Sequence, residues 1–173
     1  SAASDVYKRQ EQGTCAKCDA GKFMNESGKT ACFECKQGEY CTQGASAGLP
    51  CPSGRFQNAT LTALNISMTS EDDCVVCPTG AFCSTGAAEP TECSPGTVQP
   101  MVEQGTCAKC VAGKYQDGAG ETSCFECVAG SYCEAGASAA LPCREGTFSS
   151  TPGLGSEGQC TACSAGSSCS TGS

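Results

Sequence analysis

The chain has no histidine and no tryptophan. Histidine is the usual general base of triad hydrolysis and the commonest metal ligand, so both chemistries lose their main residue. Leu, Ile, Val and Phe are sparse, and 173 residues therefore carry too little apolar material for an ordinary core. No apolar stretch approaches the ~18 residues that span a bilayer, and no secretory signal is visible in the sequence. Positive charge is scarce too. Lys and Arg total 10 against 18 Asp and Glu, giving a net charge of -8. Nucleic-acid binding needs a basic face, so this balance argues against it.

What is abundant is cysteine, with 19 residues, and glycine, with 22. A cysteine content this high marks a disulfide scaffold, in which cross-links stand in for the core. Closing a loop of ~15 residues contributes roughly 3 kcal/mol by chain entropy. Such bonds persist in an oxidising compartment, which predicts an extracellular or secreted chain. Three N-glycosylation sequons agree: Asn25-Glu26-Ser27, Asn58-Ala59-Thr60 and Asn65-Ile66-Ser67.

The cysteines repeat. Residues 103–143 match residues 11–51 at 27 of 41 positions, 92 apart, including every cysteine. A fixed period of this kind signals a repeat array in which each unit stacks on its neighbours. The match begins abruptly at Glu11, which marks residues 1–10 as a non-native leader. The domains are then the leader 1–10, a first super-repeat 11–102 and a second, truncated super-repeat 103–173. Cys160, Cys163 and Cys169 correspond to Cys74, Cys77 and Cys83, so the chain reads as part of a longer array.

Within the period lies a smaller grammar. Nine times the chain reads Cys-x-x-Gly, starting at Cys18, Cys35, Cys51, Cys77, Cys93, Cys110, Cys127, Cys143 and Cys163. Two residues after the glycine stands an aromatic in seven of the nine: Phe23, Tyr40, Phe56, Phe82, Tyr115, Tyr132 and Phe148. Glycine permits the positive φ of a tight turn. The aromatic is expected to fold back over the disulfide as a one-residue core for each module. No segment has sustained helical periodicity, so the expected elements are short hairpins and turns. The predicted fold class is therefore small and disulfide-rich: an elongated tandem array of short β-hairpin and turn modules with little regular secondary structure.

This Cys-x-x-Gly-x-aromatic pattern, with a Cys-x-x-Cys after it, resembles the ephrin-receptor-like cysteine-rich repeat, itself similar to the single-disulfide module of TNF-receptor-like ectodomains. The resemblance covers residues 15–169. It implies an architecture like that of receptor ectodomains, protist surface proteins and flagellar-hair (mastigoneme) proteins. The Cys-x9-Cys elements at Cys41, Cys83 and Cys133 depart from the simplest family pattern, so no pairing is carried over there.

Sequential pairing accounts for eighteen cysteines: Cys18–Cys32, Cys35–Cys41, Cys51–Cys74, Cys77–Cys83, Cys93–Cys107, Cys110–Cys124, Cys127–Cys133, Cys143–Cys160 and Cys163–Cys169. It leaves only Cys15: its repeat equivalent Cys107 pairs with Cys93, and the position equivalent to Cys93 is Ser1, in the leader. A one-to-three, two-to-four pattern, with Cys35–Cys51 and Cys77–Cys93, is the rival. Cys15-x2-Cys18-x13-Cys32-x2-Cys35 also approaches zinc-ribbon spacing, but zinc leaves Cys41, Cys51 and their equivalents without a role. Glu71-Asp72-Asp73 lacks the remaining ligands of a calcium loop. The reading includes no catalytic residue, metal or cofactor. It is a structural extracellular glycoprotein segment, a rod in a cell-surface stalk or filament, with N-glycans and self-association as its partnerships. The alternative is a ligand-binding receptor ectodomain. Intact mass without reductant should show nearly all cysteines oxidised and no stoichiometric zinc; mostly free thiols would reject the scaffold.

Overall fold

A computed structural model of the chain describes residues 16–173. The leader 1–10 and Cys15 lie outside the described residues. The fold is a tandem array of antiparallel hairpins whose strands are two residues long. In chain order the pairs are β1 (Lys22–Phe23) with β2 (Phe33–Glu34), β3 (Glu39–Tyr40) with β4 (Leu49–Pro50), β5 (Arg55–Phe56) with β6 (Val75–Val76), and β7 (Ala81–Phe82) with β8 (Thr91–Glu92). They continue with β9 (Thr97–Val98) and β10 (Ala108–Lys109), β11 (Lys114–Tyr115) and β12 (Phe125–Glu126), β13 (Ser131–Tyr132) and β14 (Leu141–Pro142), and β15 (Thr147–Phe148) and β16 (Thr161–Ala162). Among the described residues one short α-helix, α1 (Ala59–Ala63), interrupts the pattern.

Each hairpin starts from the same local chemistry. The two residues between Cys and Gly turn the chain, and the residue after the glycine donates back across the turn, as Glu39 N–H does to the Lys36 carbonyl at 3.1 Å. Glycine takes the positive φ that the third position of such a turn requires; Gly38 has φ 75° and Gly80 φ 76°. The first strand then carries the aromatic. The second strand ends at the cysteine that opens the next unit, and the N–H of that cysteine donates to the carbonyl of the preceding unit's glycine. This bond recurs at all eight junctions, from Cys35 to Gly21 (3.2 Å) through Cys163 to Gly146 (3.0 Å). The super-repeat boundary at 102/103 falls inside the β9–β10 hairpin, so the sequence period and the structural unit are offset.

Successive units are joined by backbone. The residue after each aromatic position donates its N–H to a loop carbonyl of the next unit: Met24 to Ala45, Cys41 to Met68, Gln57 to Ala87, and so on to Ser149 and Ser173, at 2.8–3.1 Å. A loop residue of the next unit donates back to the opening cysteine's carbonyl, as Gly86 does to Cys51 at 2.8 Å and Gly120 to Cys93 at 2.9 Å. Buried backbone groups must find partners, and here much of the partnering crosses from unit to unit.

The reach extends one unit further than a nearest-neighbour stack. The position a Cβ would take on Gly38 is filled by the Gly86 carbonyl, two units on. The same clash would occur between Gly54 and Glu103, Gly80 and Gly120, Gly96 and Gly136, Gly113 and Gly153, and Gly130 and Gly172. One loop residue therefore clamps two preceding units, its N–H bonded to one and its carbonyl pressed against the other. Glu103 is the non-glycine in this role, held at φ 60° and paired through its carboxylate to Arg55 at 2.7 Å.

The core is cystine. Of the side chains less than 2% exposed, nine are cysteines and the other is Gln116. The aromatics meet cystines but are not enclosed: all seven are half-buried, Tyr40 against the Cys51–Cys74 cluster and Phe56 against the Cys77–Cys83 cluster, in each case the cystine of the next unit. Two others lie in cross-strand pairs, Phe23 opposite Phe33 and Tyr115 opposite Phe125, with ring centroids 5.9 and 5.8 Å apart.

Gly166 has open space where a Cβ would go. Gly166→Ala should cost about 1–2 kcal/mol, the left-handed penalty alone. Gly80→Ala should cost roughly 3 kcal/mol or more, because the Gly120 backbone must also move. Denaturant titration under oxidising conditions compares the two; equal losses would remove the two-unit clamp.

Candidate functional site

The array contains two kinds of unit, distinguished by the residue after the aromatic position. In the units that open at Cys35, Cys77, Cys127 and Cys163, that residue is a cysteine, and the disulfides Cys35–Cys41, Cys77–Cys83, Cys127–Cys133 and Cys163–Cys169 close within the unit's own turn and first strand. In the units that open at Cys18, Cys51, Cys93, Cys110 and Cys143, the bond crosses the hairpin: Cys18–Cys32, Cys51–Cys74, Cys93–Cys107, Cys110–Cys124 and Cys143–Cys160. The partner in these cases opens a Cys-x-x-Cys whose two central residues are the second strand, such as Val75–Val76. Cys18, Cys32 and Cys35 are all consumed by disulfides, so the four-thiolate zinc arrangement is not formed.

In two of the five crossing units a glutamine braces the long loop. Gln116 donates from Nε2 to the Ser123 carbonyl at 2.6 Å and accepts the Gly118 N–H at 3.0 Å. Gln99 does the same with Thr106 and Met101, at 2.6 and 3.2 Å. Both are buried, and each amide makes internally the bonds that water would otherwise supply. Sequence reasoning passed over these residues. Their signal was positional: each stands where the other kind of unit has cysteine.

The loop closed by Cys51–Cys74 is the one place where the array carries additional structure. Its last seven residues match the counterpart loop in role. Met68 and Leu154 each supply the carbonyl that accepts the N–H of the preceding unit, from Cys41 at 3.1 Å and from Cys133 at 2.8 Å. Met68 is buried, with Tyr40 and Leu61 packed near it. The six extra residues therefore fall before Met68, where they form α1 and the turn after it.

The sequons sit in distinct settings. Asn25 is exposed in the turn between β1 and β2. Asn58 is the N-cap of α1: its Oδ1 accepts from Thr60 N–H at 3.1 Å and Leu61 N–H at 3.3 Å. That leaves Nδ2, the nitrogen a sugar would use, outside the cap. Asn65 is exposed at φ 54°, a conformation asparagine tolerates better than most residues. Its sequon serine is engaged: Ser67 Oγ donates to Glu34 Oε2 at 3.2 Å, two units away.

Asp73, in the acidic run considered for calcium, is a capping residue. Its Oδ2 accepts the Thr69 N–H at 2.7 Å, the Thr69 hydroxyl at 3.0 Å and the Ser70 N–H at 3.0 Å. Gln159 does the same work in the counterpart loop, accepting from Gly155 N–H at 2.6 Å and Ser156 N–H at 3.2 Å. Nine disulfides and hairpins of this kind belong to a chain built for an oxidising, extracellular or secretory setting. No family model matches the chain, and no curated protein matches it.

The donors around Asp73, the Thr69 N–H foremost, hold its carboxyl below the ordinary value of 3.8. Its contribution to the 51–74 loop is full above that ordinary value and is lost as pH falls through the lower folded one. Between about pH 2 and 6, amide shifts of Thr69 and Ser70 should titrate, while those of Gly155 and Ser156, facing neutral Gln159, should not. Asp73→Asn should abolish the titration. A flat profile in the parent protein would overturn the assignment.

Proposed function

We propose that the chain is a segment of an extracellular structural glycoprotein: a disulfide-stapled rod of ephrin-receptor-like, TNF-receptor-like repeats in a cell-surface stalk or filament such as a flagellar hair. Its role is mechanical rather than catalytic. The observation that carries this reading is the two-unit clamp. Bending at one joint must disturb contacts at that joint and at the next, because a single loop residue holds both preceding units. Stiffness then comes from geometry rather than from a thick core.

Self-association is part of the proposal. Phe33 and Phe125, and Leu49 and Leu141, occupy equivalent positions 92 residues apart, and each is about half exposed: 50% and 52%, 47% and 48%. Equivalent apolar positions at a fixed interval suit lateral or head-to-tail assembly of like chains. The same exposed aromatic and leucine positions also favour the second reading, a ligand-binding receptor ectodomain.

In negative-stain images of the oxidised protein, the rod reading expects stiff particles that associate as concentration rises. Phe33→Ser with Phe125→Ser should suppress the association without shortening the particles. Flexible particles that stay monomeric at every concentration would sink it.

A further inference from the structure

Beside α1 lies a cleft of about 370 Å³ between the loop insertion and the two preceding units. Glu34, Lys36 and Glu39 stand on one wall, and Asn65, Ile66 and Met68 on the other. The volume is at the lower end of the ~300–1,000 Å³ typical of small-molecule sites. Glu34 is already engaged by Lys22 at 2.9 Å and by the Ser67 hydroxyl at 3.2 Å, whereas Lys36 and Glu39 make no ion pair among the described residues. Ile66 is half exposed within it. The insertion that creates this wall also brings in the Asn58 and Asn65 sequons.

We propose that the first sugar on Asn65 folds back into this cleft and binds the insertion to the units before it, whereas sugar on Asn58 projects into solvent. This rests on the glycoprotein reading above. The bond itself is the ordinary one. Asn65 Nδ2 attacks C1 of an N-acetylglucosamine on a lipid pyrophosphate donor, loses a proton and releases the lipid pyrophosphate. The fit is chemical. A pyranose has a ring of hydroxyls, which carboxylates such as Glu39 accept from and Lys36 donates to, and a flatter apolar face, which Ile66 can cover. Asn65 grows from the cleft wall itself, so the sugar is delivered there without a linker. Asn58 is fixed as a helix cap on the other side of α1 in sequence, with only Nδ2 to carry sugar.

The test uses chain secreted from glycosylating cells. Peptide-N-glycosidase is applied to the folded protein, and site occupancy is followed by glycopeptide mass spectrometry, with a denatured control. Release from Asn65 should be about tenfold slower than from Asn58, as for cleavage that waits on a local opening. The two should be alike after denaturation. Amide exchange across residues 62–68 should quicken in Asn65→Asp, which keeps the left-handed turn, and not in Asn58→Asp, which keeps the cap. Glu39→Ala with Lys36→Ala should bring the Asn65 release rate toward that of Asn58. Equal native release rates, or unchanged exchange in Asn65→Asp, would overturn the proposal, as would an Asn65 left bare while Asn58 or Asn25 carries sugar. A chain bare at all three sites would remove the glycoprotein reading, and this inference with it.

Discussion

The stacking of this array depends on the absence of a β-carbon at one position in each of six units. Where Gly38, Gly80 or Gly113 sits, the carbonyl of a loop two units on occupies the space a side chain would need. The close approach lets that loop residue also donate its N–H to the intervening unit. Disulfides hold each hairpin closed, but the glycine contact sets how one hairpin sits on the next two. A unit with its disulfide intact and its glycine replaced would be folded locally and misplaced in the stack.

The two kinds of cross-link divide the work by distance. Cystines act within a unit, lowering the entropy of loops that could not fold on their own apolar content. Backbone hydrogen bonds act between units, at four recurring places, the fourth running from the turn glycine's N–H to the next unit, as Gly80 to the Gln99 carbonyl at 2.8 Å. Side-chain polar groups fill the remaining gaps: Gln99 and Gln116 brace the long loops, Asp73 and Gln159 cap the 3-10 turns, and Arg55 with Glu103 bridges units two apart. The exposed Lys22–Glu34 pair, at 2.9 Å across β1 and β2, is of the surface kind that contributes little.

Much of this architecture was legible in the sequence because cysteine and glycine carry most of it. Cys-x-x-Gly announced the turns, and the lack of helical periodicity announced short hairpins. Tyr40 and Phe56 pack on cystines as the register suggested, but no aromatic is enclosed, for a physical reason. A stack this thin has no interior large enough to enclose a ring, so Phe23 and Tyr115 settle for partial burial against Phe33 and Phe125. The two-unit clamp was hidden because it uses main-chain atoms, which leave no side-chain signature beyond the glycine itself. Its second half could have been found: Gly44-Ala45, Gly86-Ala87 and Gly136-Ala137 recur after three of the four short disulfides, and Gly172-Ser173 stands after the fourth. The helix in the 51–74 loop left no helical periodicity to read, because α1 is five residues long and is started by the Asn58 cap rather than by an apolar face.

Since the joint is made of main-chain atoms, it does not discriminate between the two kinds of unit. Two crossing units stand in succession at Cys93 and Cys110, and the bonds from Cys110 to Gly96 and from Gly96 to Gln116 form there as they do elsewhere. A gene encoding such a chain can therefore gain or lose units by duplication and unequal exchange without inventing a new interface. Length becomes a quantity that heredity can adjust one module at a time, while outward-facing side chains diverge independently of the joint.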